Sequence, residues 1–159
     1  MELAEKILRH PKYIEYLALN KGEETHRKFC RHNLQHALDV ARVAYIISLE
    51  KGYGLDKEII YVTALLHDIA KWKQYRTKVD HASEGAALAL EILEDIGIDG
   101  SHVPTILDAI RSHRTKGPRE SLLSEVLYDS DKSCRLCINC KGIAGCNRFL
   151  NGEKPELMY

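Results

Sequence analysis

Four residues in this sequence combine metal-binding side chains with positions that the surrounding pattern places inside. His67 and Asp68 stand side by side in Ala64-Leu65-Leu66-His67-Asp68-Ile69-Ala70-Lys71, at the end of an apolar helical stretch. An ionised Asp in such surroundings needs a partner or a metal, because an unpaired buried charge is costly. Adjacent side chains on an α-helix point about 100° apart, so both reach a cation lying alongside the helix. His36 belongs to the apolar row His36/Val40/Val43/Ile47 of an earlier helix, and Asp131 follows the apolar residues Val126 and Leu127 of a later one. Each residue taken singly also reads as a hydrogen-bonded core residue. Together, groups from three helices can converge on one site, and imidazoles mixed with carboxylates suit Fe, Mn, Ni, Co or Zn.

A second cluster is made of thiols. Of five cysteines, four fall in the run Cys134-x2-Cys137-x2-Cys140-x5-Cys146. This spacing fits a zinc site or an iron–sulfur cluster. Reduced thiols packed on one helical face, or redox-active thiols, are the other readings. Gly142 and Gly145 permit the tight turns that a ligand knuckle needs. Cys30 stands alone, as a core residue or as part of the lining near His32. His32 lies one helical turn before His36 and reads either as lining the same cavity or as a solvent-side or capping residue. His10, His26 and His102 read as surface residues.

The elements that must position these groups are helical. Apolar residues recur at spacings of three and four, and no segment sustains a period of two, so the fold class is all-α. Two short helices, Glu2 to Arg9 and Lys12 to Leu19, are separated by Pro11. A central helix runs from Asn33 to Lys51, and Asp56 caps a fourth segment that extends to about Lys71. The polar stretch Lys73 to Lys78 reads as an exposed loop. Asp80 or His81 then opens a long helix closed at Gly97, Pro104 starts another that ends near His113 and Arg114, and Ser121 starts the last. The tail from Asn151 to Tyr159 has no periodicity and reads as frayed.

With 159 residues, 45% of them hydrophobic, the chain suits a single domain over 1–159 with its core at about 30–135 and a cysteine-rich segment at 134–146. Its 23 basic and 23 acidic residues balance, which argues against a partner that is a long nucleic acid. The start, MELAEKILRH, carries Glu2 and Glu5 where a secretory leader would be basic, and no apolar run approaches the roughly 20 residues that cross a bilayer. The expectation is a cytoplasmic protein without a membrane partner. Cysteines in that compartment point to metal or redox chemistry more than to disulfides.

The order of these residues resembles the HD-domain superfamily of metal-dependent phosphohydrolases, whose motif is a His, a His-Asp pair at a helix end, and a later Asp followed by a basic residue. Here these are His36, His67-Asp68, and Asp131 before Lys132. The resemblance implies an HD-type helical bundle in which His36, His67, Asp68 and Asp131 bind metal. His81 and His113 resemble the extra ligands of dinuclear members; contact with phosphate, or orientation of the ligands, is their other reading. The small bacterial HD hydrolases of the diadenosine tetraphosphate hydrolase type are similar, and they too carry a Lys shortly after the pair, as Lys71 does.

One or two divalent ions bridged by Asp68 would then turn water into a hydroxide that attacks phosphorus. Asp68 and Lys71 are the expected catalytic residues, and Lys71, Arg114 and Lys116 the expected substrate-binding cations, with solvated surface charge as the alternative for each. The expected substrate is a small phosphorylated molecule, a nucleotide above all. Two other readings stay open: a regulatory or redox-sensing protein that binds a ligand without turnover, and a dinuclear-iron HD oxygenase.

Overall fold

Four helices begin at polar residues whose side chains accept hydrogen bonds from the first-turn amides: Asn33, Asp56, Asp80 and Ser121. The computed structural model describes residues 1–149 and 151–159. Among the described residues the α-helices are α1 (Glu2–Arg9), α2 (Pro11–Glu23), α3 (Leu34–Glu50), α4 (Lys57–Leu66), α5 (Lys71–Thr77), α6 (His81–Asp95), α7 (Val103–Ser112) and α8 (Leu122–Ser133). Three single-turn 3-10 segments follow, Cys137–Asn139, Ile143–Gly145 and Asn147–Phe149. No strand is present among the described residues, so the all-α reading holds, and no helix there is long and apolar enough to cross a membrane.

Helix α4 is apolar nearly all round, and the bundle is built about it. Ile60, Val62, Ala64, Leu65 and Leu66 are all buried, as expected of a helix with neighbours on every side. Helices α1, α3, α6, α7 and α8 all pack against it. Its C-terminal end, where the His-Asp pair lies, therefore falls in the middle of the bundle and not at its rim.

Two expectations are corrected at this end. The fourth segment does not continue to Lys71: α4 stops at Leu66, and residues 67–70 form a turn. Asn20, buried on α2, makes the break tolerable by serving main-chain groups on both sides of it. Its amide donates to Asp68 O at 3.0 Å, and its carbonyl oxygen accepts from Trp72 N at 2.7 Å. The second correction concerns the polar stretch from Lys73 to Lys78, which is the body of helix α5 and not a loop. Its polarity hid it, because α5 docks through Trp72 stacked on Tyr16, with ion pairs Arg76–Glu23 at 2.7 Å and Lys73–Glu84 at 2.7 Å. Contacts of this kind leave no apolar period in the sequence.

Helix α6 approaches the turn closely at Gly85. A Cβ there would lie 3.5 Å from His67 O and 3.8 Å from the Ala70 Cβ. The small residues Ala82, Gly85, Ala86 and Ala89 are buried along this face. They bring His81, the first residue of α6, to the His-Asp pair. In the tail, residues 151–159 form no helix, although Tyr159 Oη donates to Glu50 Oε2 at 3.1 Å.

Candidate metal centre

Five imidazoles surround the Asp68 carboxylate, each with Nδ1 engaged and Nε2 facing inward. His67 Nδ1 contacts Ala64 O at 2.7 Å and His113 Nδ1 contacts Ile110 O at 2.6 Å. A carbonyl only accepts, so in these two rings Nδ1 carries the proton. His81 Nδ1 lies 2.7 Å from Gln74 Oε1, His36 Nδ1 lies 3.8 Å from Cys134 Sγ, and His32 Nδ1 pairs with Glu24. The Nε2 atoms of His67 and His81 come within 3.0 Å of Asp68, at Oδ2 and Oδ1 respectively. Those of His36, His113 and His32 lie 3.7, 3.6 and 3.9 Å from it. On the far side, Asp131 Oδ1 is 3.2 Å from His36 Nε2 and 4.0 Å from His67 Nε2.

These atoms fall into two groups whose members all lie within 4.8 Å of one another: His36, His67, Asp68 and Asp131, and then Asp68, His81 and His113. Asp68 belongs to both. His36 comes from α3, His67 and Asp68 from the turn after α4, His81 from α6, His113 from the end of α7 and Asp131 from α8. The structure thus brings together the six residues expected as ligands.

The donor set fits divalent cations. Buried His67 Nε2 and Asp68 Oδ1 have no hydrogen-bond partner among the described residues, although buried polar atoms normally do. His81 Nε2 and His113 Nε2 face each other at 3.2 Å, and with the His113 proton held on Nδ1, that lone pair needs a positive partner. Burial alone would raise the Asp68 carboxyl, but the surrounding imidazoles, His67 and His32 foremost, hold it well below the ordinary range. Burial would also raise Asp131, which His36 and His67 hold down in the same way. Burial lowers His67, yet the two aspartates more than offset this and raise it overall. The potential that favours a proton there favours a metal ion, which would displace it. Burial lowers His81 to about 4, leaving it neutral and able to ligate at pH 7.

A cavity of about 220 Å³ opens onto this centre, walled by Asp68, His81, His113 and Asp131 together with five cations, Lys71, Arg114, Lys132, Arg135 and Arg148. Lys71 Nζ stands 3.4 Å from His81 Nδ1, and burial lowers its pKa. Arg114 lines the mouth while pairing with Asp80 Oδ1 at 3.0 Å. Lys116 lies exposed in the turn beyond and is not part of the wall. Sequence reasoning passed over Arg135, which reaches His36 Nε2 at 3.0 Å and Asp131 Oδ1 at 3.2 Å. Its position four residues after Asp131 is the signal that was available. Lys132, 2.5 Å from Asp131 Oδ2, and Arg148 were also passed over as wall residues.

Of the remaining histidines, His32 lines the cavity and is buried, in accord with one of its two readings. Its ring and amide both meet Glu24, which also accepts from Tyr75 Oη at 2.7 Å. No periodic pattern marks Glu24 or Tyr75. His26 and His102 are exposed, but His10 is half-buried with Nε2 3.2 Å from Asp95 Oδ2, which corrects its surface reading.

Comparison with known proteins agrees with this geometry. The HD domain family model matches residues 33–136. An uncharacterized protein of Clostridium beijerinckii is 44% identical over 141 residues, covering 89% of this chain and 88% of that one. A symmetrical bis(5'-nucleosyl)-tetraphosphatase of Halalkalibacterium halodurans is 30% identical over 116 residues, covering 63% of this chain and 59% of that one. The crystal structure of a predicted HD superfamily hydrolase from an uncultured Thermotogales bacterium matches with a TM-score of 0.58 at 33% identity, covering 83% of this chain and 73% of that one.

Proposed function

The chain belongs to the HD domain family of metal-dependent phosphohydrolases, and from that premise we propose that its His/Asp centre hydrolyses a phosphate ester or anhydride bond of a nucleotide. The observation that carries this reading is one carboxylate, Asp68, shared by two ligand groups beneath a wall of five cationic side chains.

His36, His67, Asp68 and Asp131 would hold one divalent ion, and Asp68, His81 and His113 a second. When bound, such ions supply positive charge for phosphoryl oxygens and acidify water enough for attack at neutral pH. Asp68 serves both groups and so fixes their spacing. His67 and His113 donate Nδ1–H to main-chain carbonyls and present Nε2 as a lone pair. Lys71 binds a phosphoryl oxygen beside His81, Arg135 one beside His36 and Asp131, while Lys132 and Arg148 take further oxygens along the wall. Arg114 joins them by leaving Asp80. Lys116 has no part in this arrangement and remains a solvated charge.

The substrate class follows from size and charge. About 220 Å³ is below the roughly 300–1,000 Å³ of pockets that enclose a whole drug-sized ligand. The cavity therefore takes the phosphates and leaves the nucleoside at the mouth. Five cations exceed the need of a single phosphoryl group, which favours a chain of phosphates, in keeping with the similarity to a bis(5'-nucleosyl)-tetraphosphatase.

The test is phosphate release from a panel of nucleoside mono-, di- and triphosphates and dinucleoside polyphosphates, with Mn²⁺ or Co²⁺ and without oxygen. We expect turnover that is lost in Asp68→Ala together with bound metal. Turnover that needs iron and consumes O₂ would replace hydrolysis with oxygenation. Tight ligand binding without turnover under any metal would make the protein a regulatory one.

A further inference from the structure

The cysteines take no part in this chemistry, and the fold groups them differently from their order in the chain. Cys134 is separated from the others: its sulfur sits 3.8 Å from His36 Nδ1, behind the imidazole, where burial pushes the thiol up to about 12. Its place is taken by Cys30, from the segment between α2 and α3. Cys30, Cys137 and Cys146 line one cavity, and each is half-buried.

The loop after α8 carries its cysteines at the ends of short successive turns packed on the segment that holds Cys30. Cys137 opens a single 3-10 turn and Cys140 closes it, with Cys140 N donating to Cys137 O at 3.1 Å. Cys146 closes the next turn in the same way, its amide donating to Ile143 O at 3.0 Å. Cys140 and Cys146 then share one extended conformation, φ −85 ψ 119 and φ −84 ψ 122. The loop is pressed onto the segment that carries Cys30. A Cβ on Gly142 would come within 3.0 Å of Lys28 O and 3.4 Å of the Phe29 ring, and one on Gly145 within 3.8 Å of that ring. Glycine at 142 thus favours the close approach of the two segments, since a side chain there would push Lys28 O back by a few tenths of an ångström. The Cys137 thiol is raised by burial and by the neighbouring Cys30, Cys146 and Cys140, with Arg148 opposing. The four sulfurs share one electrostatic neighbourhood.

We propose that Cys30, Cys137, Cys140 and Cys146 form a four-thiolate site for a structural zinc ion that ties the loop after α8 to the α2–α3 connection. Four thiolates around one Zn²⁺ make a closed tetrahedral site, with Zn–S of about 2.3 Å. The His/Asp ligand atoms already lie within 4.8 Å of one another, whereas the thiol set closes by rotation of half-exposed side chains as the ion binds. Binding releases the thiol protons. Because Cys137, Cys146, Arg135 and Arg148 all line the catalytic cavity, the zinc fixes one of its walls.

The experiment uses the full chain, purified without a metal-affinity tag and loaded with Zn²⁺ or Co²⁺, with metal and acid-labile sulfide counted per chain. Cobalt reports thiolate ligation through its sulfur-to-metal charge-transfer absorption. We expect Cys30→Ser to lose one metal equivalent and the charge-transfer band, and Cys134→Ser to keep both. Asp68→Ala should keep the band, which separates this site from the His/Asp centre. Loss of the band in Cys134→Ser with its retention in Cys30→Ser would overturn the proposal, and so would iron accompanied by sulfide. Thiol alkylation of the unmutated protein, mapped by mass spectrometry, guards against variants that fail to fold. Zinc should protect Cys30, Cys137, Cys140 and Cys146 at least tenfold relative to chelator-treated protein, and equal labelling of Cys30 in both states would overturn the site.

Discussion

Glu24 accepts from the His32 amide at 2.7 Å, from the His32 ring and from Tyr75 Oη at 2.7 Å. Burial alone would raise its carboxyl, but these donors and the His32 charge bring it from 4.5 down to about 2. A carboxyl depressed in the folded state contributes stability that is present above its unfolded pKa and lost as pH falls toward its folded one. The window here runs from about pH 4.5 down to about pH 2. Glu24→Gln should cost about 1–3 kcal/mol at neutral pH by leaving buried donors poorly matched. It should also flatten the fall of the urea midpoint on acidification through that window. A midpoint that falls as steeply in the variant as in the parent would mean that Glu24 is not held in this network. The same substitution releases the His32 ring, so a drop in kcat with unchanged metal content would assign His32 a part in turnover.

Helix α6 delivers His81 while lying against the turn after α4 at Gly85. A Cβ at Gly85 would make ordinary contact, 3.5 Å from His67 O and 3.7 Å from the Ile110 side chain, and a longer side chain has nowhere to go. Gly85→Leu should therefore cost about 1–3 kcal/mol by overpacking and move His81 away from Asp68. Metal titration of a folded Gly85→Leu protein should show weakened binding by the Asp68/His81/His113 group, with His36, His67, Asp68 and Asp131 still loaded. Equal loss of both ions would mean that the two groups do not bind separately. The cap at Asp56 was legible at this scale, as were helix starts at Asn33, at Asp80 or His81, and at Ser121, since short polar side chains before apolar periodic runs have one dominant use. Helix α5 was not, because Trp72, Lys73 and Arg76 are held by α2 and α6 and show no period of their own.

Six candidate ligand residues from five parts of the bundle are held together by the fold before any metal arrives, so metal binding should act on the stability of the whole domain. A ligand at a hundred times its Kd stabilises the native state by about 2.7 kcal/mol. For a chain of this size, that corresponds to a rise in Tm of roughly 5–10 °C. Differential scanning calorimetry with and without Mn²⁺ should show this rise in the parent and none in Asp68→Ala; an unchanged parent Tm would count against the centre. The sequence by itself determined the helices other than α5, the inward face of His36, the place of Asp131 after an apolar run, and the burial of His67-Asp68, because periodicity and the cost of burying charge are local physics. It also marked His81 and His113 through their resemblance to a known ligand set. Only the tertiary structure decided that Arg135 stands over His36, that Glu24 and Tyr75 hold His32, and that Cys30 and not Cys134 lines one cavity with Cys137 and Cys146. Arg135 and His36 are 99 positions apart, and Glu24 and Tyr75 are 51 apart. Such pairs meet because helices pack by shape, and no spacing along one chain records which faces are pressed together.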